Sequence, residues 1–344
     1  MKKFAIVFGV FCLMLSAFTT LKDQIFVAPK NWPKPVYDFA KNPLTKEKVE
    51  LGRALFYDPL LSGTNTISCA SCHSQFTAFT HVDHALSHGV EDRIGTRNSP
   101  ALMNLAWHKL FMWDGAINHL DVQALAPVSH PDEMGEKIEN VVLKLQQSKI
   151  YRKLFYEAFA DSAATGERTL KAISQFMLTL ISAESKYDSV MRKQSQFTTQ
   201  EKNGYNIFQK NCSSCHKEPL FTNLAFENNG LPPDTKLKDI GRMKISKNPA
   251  DSLRFKVPTL RNIEFSYPYM HDGRFKKLSE VINHYTSGIQ HNKTLSKPLE
   301  KAIILTSNEK VDLVAFLLTL TDKKFLFDQR FSYPKEIFFP KPKD

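Results

Sequence analysis

Cys69-Ala70-Ser71-Cys72-His73 is the stretch from which this chain is best read. Two thiols three positions apart can each form a thioether to one edge of a porphyrin, and the adjacent imidazole can turn inward to the iron. C-x-x-C-H is therefore the attachment signature of a c-type haem. The run recurs as Cys212-Ser213-Ser214-Cys215-His216, and the two runs use four of the five cysteines. A zinc site would gather four ligands in one compact cluster, yet these pairs begin 143 residues apart, each with one adjacent histidine. A thioredoxin-like redox pair would need a βαβ setting, which is not apparent. The sequence predicts two covalently attached c-type haems, with His73 and His216 as proximal iron ligands.

Each attachment run has the same approach. A helix opening near Thr45 carries Val49, Leu51, Leu55 and Phe56 towards the first run. Before the second, Thr198 and Glu201 make a capping box, and Gly204-Tyr205-Asn206-Ile207-Phe208 echoes Gly52-Arg53-Ala54-Leu55-Phe56. Between them Leu170, Ile173, Phe176, Met177, Leu180 and Ile181 recur at helical spacing in a run ending near Tyr187. Arg192 to Thr199 reads as a linker. Near the end, Thr306 and Glu309 cap a further helix with Val311, Val314, Leu317 and Leu318 as its apolar stripe. Strand-like alternation is scarce. The expected fold is mostly α, with two cytochrome c-like haem domains and long loops.

At 344 residues the chain is long enough for two ordinary cores, and its 42% hydrophobic and 24% charged residues are those of a soluble globular protein. Lys2 and Lys3 precede a 15-residue apolar run from Phe4 to Phe18, shorter than the roughly 20 residues of a membrane span. It reads as a signal peptide over residues 1–20, or as a retained N-terminal anchor. Cys12 lies inside it as a small apolar residue. Export suits covalent haem attachment and points to the periplasm. The net charge of +11 would attract acidic partners, but no recognition motif accompanies it, so nucleic acid is not implied. The residues after the signal, through Pro43, contain Pro29, Pro33 and Pro35 and should run extended. So should the Pro- and Lys-rich end from Pro334.

The loops hold the remaining chemistry. Ser74 to Thr96 contains His81, His84 and His88, any of which could approach an iron or cover a propionate. His88 is preferred because the adjacent Gly89 offers backbone freedom. Arg97-Asn98-Ser99-Pro100, Trp113-Asp114-Gly115 and Glu133-Met134 follow within forty residues.

Taken in order, these segments resemble the bacterial dihaem cytochrome c peroxidase and MauG superfamily. The similarity continues through Pro258-x-Leu260-Arg261-Asn262 and Pro268-Tyr269-Met270-His271-Asp272-Gly273, across nearly the whole mature chain. The resemblance implies a peroxidatic haem domain over residues 21–190 and an electron-transfer haem domain over 191–322. Residues 323–344 would form a tail packing back on the first domain. It implies Trp113 as the relay between haems, Glu133 as the distal acid-base residue and Gln123 lining the same pocket. His88 would ligate the first iron conditionally, in the resting oxidised state. Asn98, with the carbonyls of Ser266 and Pro268, would hold a calcium ion.

The second axial ligand of the electron-transfer haem is a methionine in many such peroxidases, whereas Val281-Ile282-Asn283-His284-Tyr285 places Tyr285 there. The MauG branch also has tyrosine. A phenolate should lower that haem's potential relative to a thioether. Met270 and His284 remain rival ligands. The implied function is reduction of hydrogen peroxide to water with electrons from a small periplasmic redox protein, a cytochrome c or a cupredoxin. The alternatives are MauG-like oxidation of a protein substrate and a non-catalytic dihaem electron carrier. A homodimer is compatible with the resemblance.

Overall fold

The computed structural model describes residues 25–340. The expected signal or anchor, with Cys12, and the last four residues lie outside them. Two helix pairs organise what is described. In the first half, α1 (Lys46–Tyr57) starts where the Thr45 hydroxyl accepts the Lys48 N–H at 3.2 Å. It is followed by α2 (Lys149–Phe159) and α3 (Gly166–Thr179). In the second half, α4 (Thr199–Asn211) and α5 (Ser307–Leu318) each begin at a capping box, Thr198 with Glu201 and Thr306 with Glu309.

The echoed sequence is a repeated helix crossing. A side-chain carbon at Gly52 would lie 1.9 Å from the Ala172 carbonyl oxygen of α3, and one at Gly204 would lie 1.9 Å from the Asp312 carbonyl oxygen of α5. Four residues on, the rings meet: Phe56 and Phe176 at 5.2 Å between centroids, Phe208 and Phe316 at 5.1 Å. Replacing glycine by alanine within a helix ordinarily stabilises by up to about 1 kcal/mol. Here Gly204→Ala is expected to destabilise by about 2 kcal/mol, because the crossing must open. A urea titration of the holoprotein reads the sign, and a midpoint unchanged or raised would show that the helices have room.

Two apolar cores follow from the two crossings. The first gathers Leu51, Leu55, Phe56, Phe79, Tyr151, Phe155, Ile173 and Phe176. The second gathers Tyr187, Phe208, Phe221, Ile263, Ile282, Leu313, Phe316 and Leu317. On α5 the buried face is Leu313, Phe316 and Leu317, while Val311 and Leu318 of the expected stripe are 56% and 40% exposed. The Gly204 crossing fixes that rotation.

The helix expected to run to near Tyr187 stops at Thr179. Asn104 Oδ1 accepts the Ser182 N–H, and one Asp322 oxygen accepts the N–H groups of Ala183 and Glu184, at 2.9–3.0 Å. These donors are thereby withdrawn from the helical ladder. A separate short helix, Lys186–Met191, starts from the Ser185–Asp188 capping box. Beyond α5 the chain returns to the first core, where Phe325, Leu326 and Phe331 are buried. Tyr57 donates to the Phe331 carbonyl at 2.6 Å, and Arg53 pairs with Glu336. Lys335–Phe338 forms a helical turn where extended chain is expected. The one strand pair among the described residues is β1 (Phe226–Glu227) antiparallel to β2 (Phe255–Lys256).

Candidate functional site

The two attachment runs are built alike. After the single turn Cys69–Cys72, His73 Nδ1 lies 2.8 Å from the Phe79 carbonyl; His216 Nδ1 lies 3.1 Å from the Phe221 carbonyl. A carbonyl only accepts, so each Nδ1 carries the proton and each Nε2 is left as a bare donor for a metal. Burial pushes both imidazoles down to about 4, keeping them neutral. The four motif cysteines are free thiols, and burial pushes those of Cys69 and Cys212 up to about 12. Paired thiols beside one oriented imidazole fit a thioether-bound haem at each site. Among the described residues no three His, Cys, Asp or Glu side chains converge as a metal cluster would require.

Over the first run sits Glu133. Burial raises its carboxyl above the usual carboxylate range, and its charge in turn raises the thiols of Cys69 and Cys72. The loop bearing His88 is strapped to it, since the Val90 N–H donates to the Glu133 carbonyl at 2.7 Å. The His88 carbonyl accepts from Cys72 Sγ at 3.5 Å, and the ring is stacked on His84 at 4.0 Å with Nδ1 2.6 Å from Asp92. Gly89 is extended (φ −111°), so backbone freedom is not why glycine stands there. A side-chain carbon would come within 2.3 Å of the Asp132 and Glu133 carbonyls, and it is this close approach that requires glycine. Gln123 donates to Met112 Sδ at 3.6 Å, with no hydrogen bond to Glu133.

Near the second run lies Tyr285. It sits in a π-helical stretch, His284–Gly288, and burial followed by the nearby Cys212 and Cys215 pushes its hydroxyl up to about 12. His284 is buried, with Nε2 3.0 Å from the Asn229 carbonyl. Met270 Sδ accepts from Asn229 Nδ2 at 3.4 Å.

Comparison with known proteins agrees with this paired arrangement. A family model described as di-haem cytochrome c peroxidase matches residues 46–196, and one described as cytochrome c matches 201–321. The methylamine utilization protein MauG of Methylorubrum extorquens is 36% identical over 305 residues, 86% of this chain and 83% of that protein. The chain belongs to the dihaem cytochrome c peroxidase family. Cytochrome c551 peroxidase of Nitrosomonas europaea is 35% identical over 82% of each chain. The crystal structure of a MauG-like protein associated with microbial copper homeostasis superposes with a TM-score of 0.81. It is 32% identical, covering 90% of this chain and 99% of that one. This member of the family is a peroxidase oxidoreductase with two c-type haems.

In this peroxidase Trp113 is tied to both halves. Its indole N–H donates to the Asn98 carbonyl at 2.8 Å, and its own carbonyl accepts from Lys256 of β2 at 2.7 Å. Lys256 also reaches back with Nζ 3.1 Å from the Leu110 carbonyl. Arg97 bridges the same seam, 2.7 Å from Asp114 and 2.6 Å from Asp239. Asn98 is buried, its Nδ2 donating to Ala85 at 3.0 Å and its N–H to the His271 carbonyl at 2.7 Å. Tyr267–Pro268, beside Ser266, is a cis peptide.

Sequence reasoning named Arg261 within a motif but gave it no role. It is fully buried, its guanidinium bonded to both Asp188 oxygens at 2.8 and 2.9 Å and to the Pro219 carbonyl at 2.9 Å. It thereby holds the loop whose Phe221 carbonyl orients His216. The Leu260-Arg261-Asn262 motif flagged the residue, but nothing local pointed to its partner.

Proposed function

We propose that the two sites divide the labour of peroxide reduction, with residues 21–190 as the peroxidatic domain and 191–322 as the electron-entry domain. The observation that carries this is the asymmetry of the two pockets: a buried carboxyl, Glu133, at the first attachment loop and a phenol, Tyr285, at the second. When bound, the haem on His73 supplies an iron at which hydrogen peroxide is cleaved. Glu133, ionised, takes the proton from one peroxide oxygen and delivers it to the departing one, which leaves as water. Completion consumes two electrons and two protons and yields two waters. Gln123 lines the approach, and His88 is the conditional ligand, its Nε2 available because Nδ1 is engaged by Asp92. Cys69, Cys72, Cys212 and Cys215 hold the haems.

Trp113 is the relay in this reading, since its hydrogen bonds fix the indole at the seam. Trp113→Phe should leave peroxide binding unchanged and slow electron transfer between the haems about tenfold or more, ~1.4 kcal/mol on that barrier. Transient absorption after rapid half-reduction separates the two steps. An unaltered inter-haem rate would remove Trp113 from the path.

The donor is a small periplasmic protein, a cytochrome c or cupredoxin, and the net charge of +11 suits one with an acidic docking face. Asn98 Oδ1 and the carbonyls of Ser266 and Pro268 accept no hydrogen bond among the described residues and supply the oxygen donors of a calcium site. No described helix is long and apolar enough to cross a membrane. A second reading, MauG-like oxidation of a protein substrate by peroxide, is favoured by Tyr285, which suits storage of an oxidising equivalent.

A further inference from the structure

Two of the three candidate ligands of the second haem, Met270 and His284, meet at one residue. Asn229 precedes Gly230 in the loop after β1, with its Oδ1 accepting the Leu231 N–H at 3.2 Å in a local turn. Its carbonyl takes the Nε2 of buried His284 at 3.0 Å, the nitrogen that ring would otherwise offer to iron. Its Nδ2 donates to Met270 Sδ at 3.4 Å, occupying the sulfur. Tyr285 follows His284 directly in the π-helical stretch, the two rings 5.1 Å apart between centroids. Met270 is held in place by a left-handed backbone (φ +76°), so its side chain does not reach Asn229 through a merely flexible loop.

We propose that Asn229 is the positioning residue that selects the second haem's axial ligand: its backbone withholds His284 and its side-chain amide occupies Met270, leaving Tyr285 as the donor. This rests on the reading of Tyr285 as the ligand. One hydrogen bond is worth a several-fold change in an equilibrium, and the one from Asn229 to Met270 Sδ acts against the thioether as ligand. The residue therefore sets which of two chemically different donors is bound, without itself touching the iron.

The test uses the full-length holoprotein and ferric spectra of the second haem. Tyr285→Phe is recorded first, and an unchanged spectrum would reject the tyrosine reading itself, before Asn229 is considered. Asn229→Asp then keeps the oxygen that caps Leu231 and removes the amide donor. The expected result is a mixture in which the ratio of tyrosine- to methionine-ligated molecules falls roughly tenfold. It appears as a sulfur-to-iron charge-transfer band and a second, higher-potential redox wave. Met270→Leu added to Asn229→Asp should abolish both, whereas Met270→Leu alone should change neither ligand nor wave. Asn229→Leu, which carries no charge, should reproduce the mixture. A parent-like spectrum and single wave in both Asn229 variants would overturn the assignment. So would a histidine-ligated spectrum, since the backbone lock on His284 survives both substitutions.

Discussion

Glu133→Gln is expected to retain both haems and to slow the reaction of the half-reduced enzyme with hydrogen peroxide by about a hundredfold or more, the scale of a lost general acid-base group. The amide has nearly the same shape but cannot cycle a proton. Stopped-flow single turnovers read this directly, and an unchanged rate would remove Glu133 from the chemistry. A pH profile adds a sign. Burial raises the Glu133 carboxyl above the ordinary glutamate range. As pH falls through that raised value the base is neutralised, so the parent's rate should fall there, earlier than for an exposed glutamate. The same limb in the Glu133→Gln variant should be flat, because no carboxyl remains to titrate.

The next largest effect is expected at the buried pair behind His216. Arg261→Met leaves the Asp188 carboxylate buried without its partner and should cost about 3–5 kcal/mol. Arg261→Met with Asp188→Leu should cost clearly less, since no charge is then stranded. Burial alone would raise the Asp188 carboxyl, but the Arg261 guanidinium overrides it and holds the carboxyl below its usual range. That contribution is complete above the unfolded aspartate's value and is lost as pH falls through the lower folded one. Urea unfolding followed at the second haem's absorption measures both variants. Equal losses in single and double variants would show that the ion pair is not what holds the loop.

Features confined to a few neighbouring residues were legible in the sequence. The attachment runs, the capping boxes at Thr198 and Thr306, and the Gly52 and Gly204 approaches each lie within a short window. The runs and caps follow from local covalent and helical spacing, and the two glycines are visible as an echo although the carbonyls they meet, of Ala172 and Asp312, lie far along the chain. What was hidden depends on partners far along the chain. The break after Thr179 is made by Asn104 and Asp322, which lie 78 and 139 positions from the residues they bind. Arg261 finds Asp188 at a separation of 73. Gly89 read as a source of freedom, yet the structure uses its missing side chain to seat the loop on Glu133. Asn229, in Glu227-Asn228-Asn229-Gly230, looks like an ordinary turn residue; its second role appears only when Met270 and His284 are brought to it.

The division of labour between the two haems is tested most directly by replacing Cys69 and Cys72 together with alanine and measuring the denatured mass and peroxide turnover of the same preparation. The expected result is one covalent haem, retained on Cys212 and Cys215 with the second haem's spectrum intact, and no peroxide reduction. Peroxide turnover persisting in a protein that carries only that second haem would contradict it.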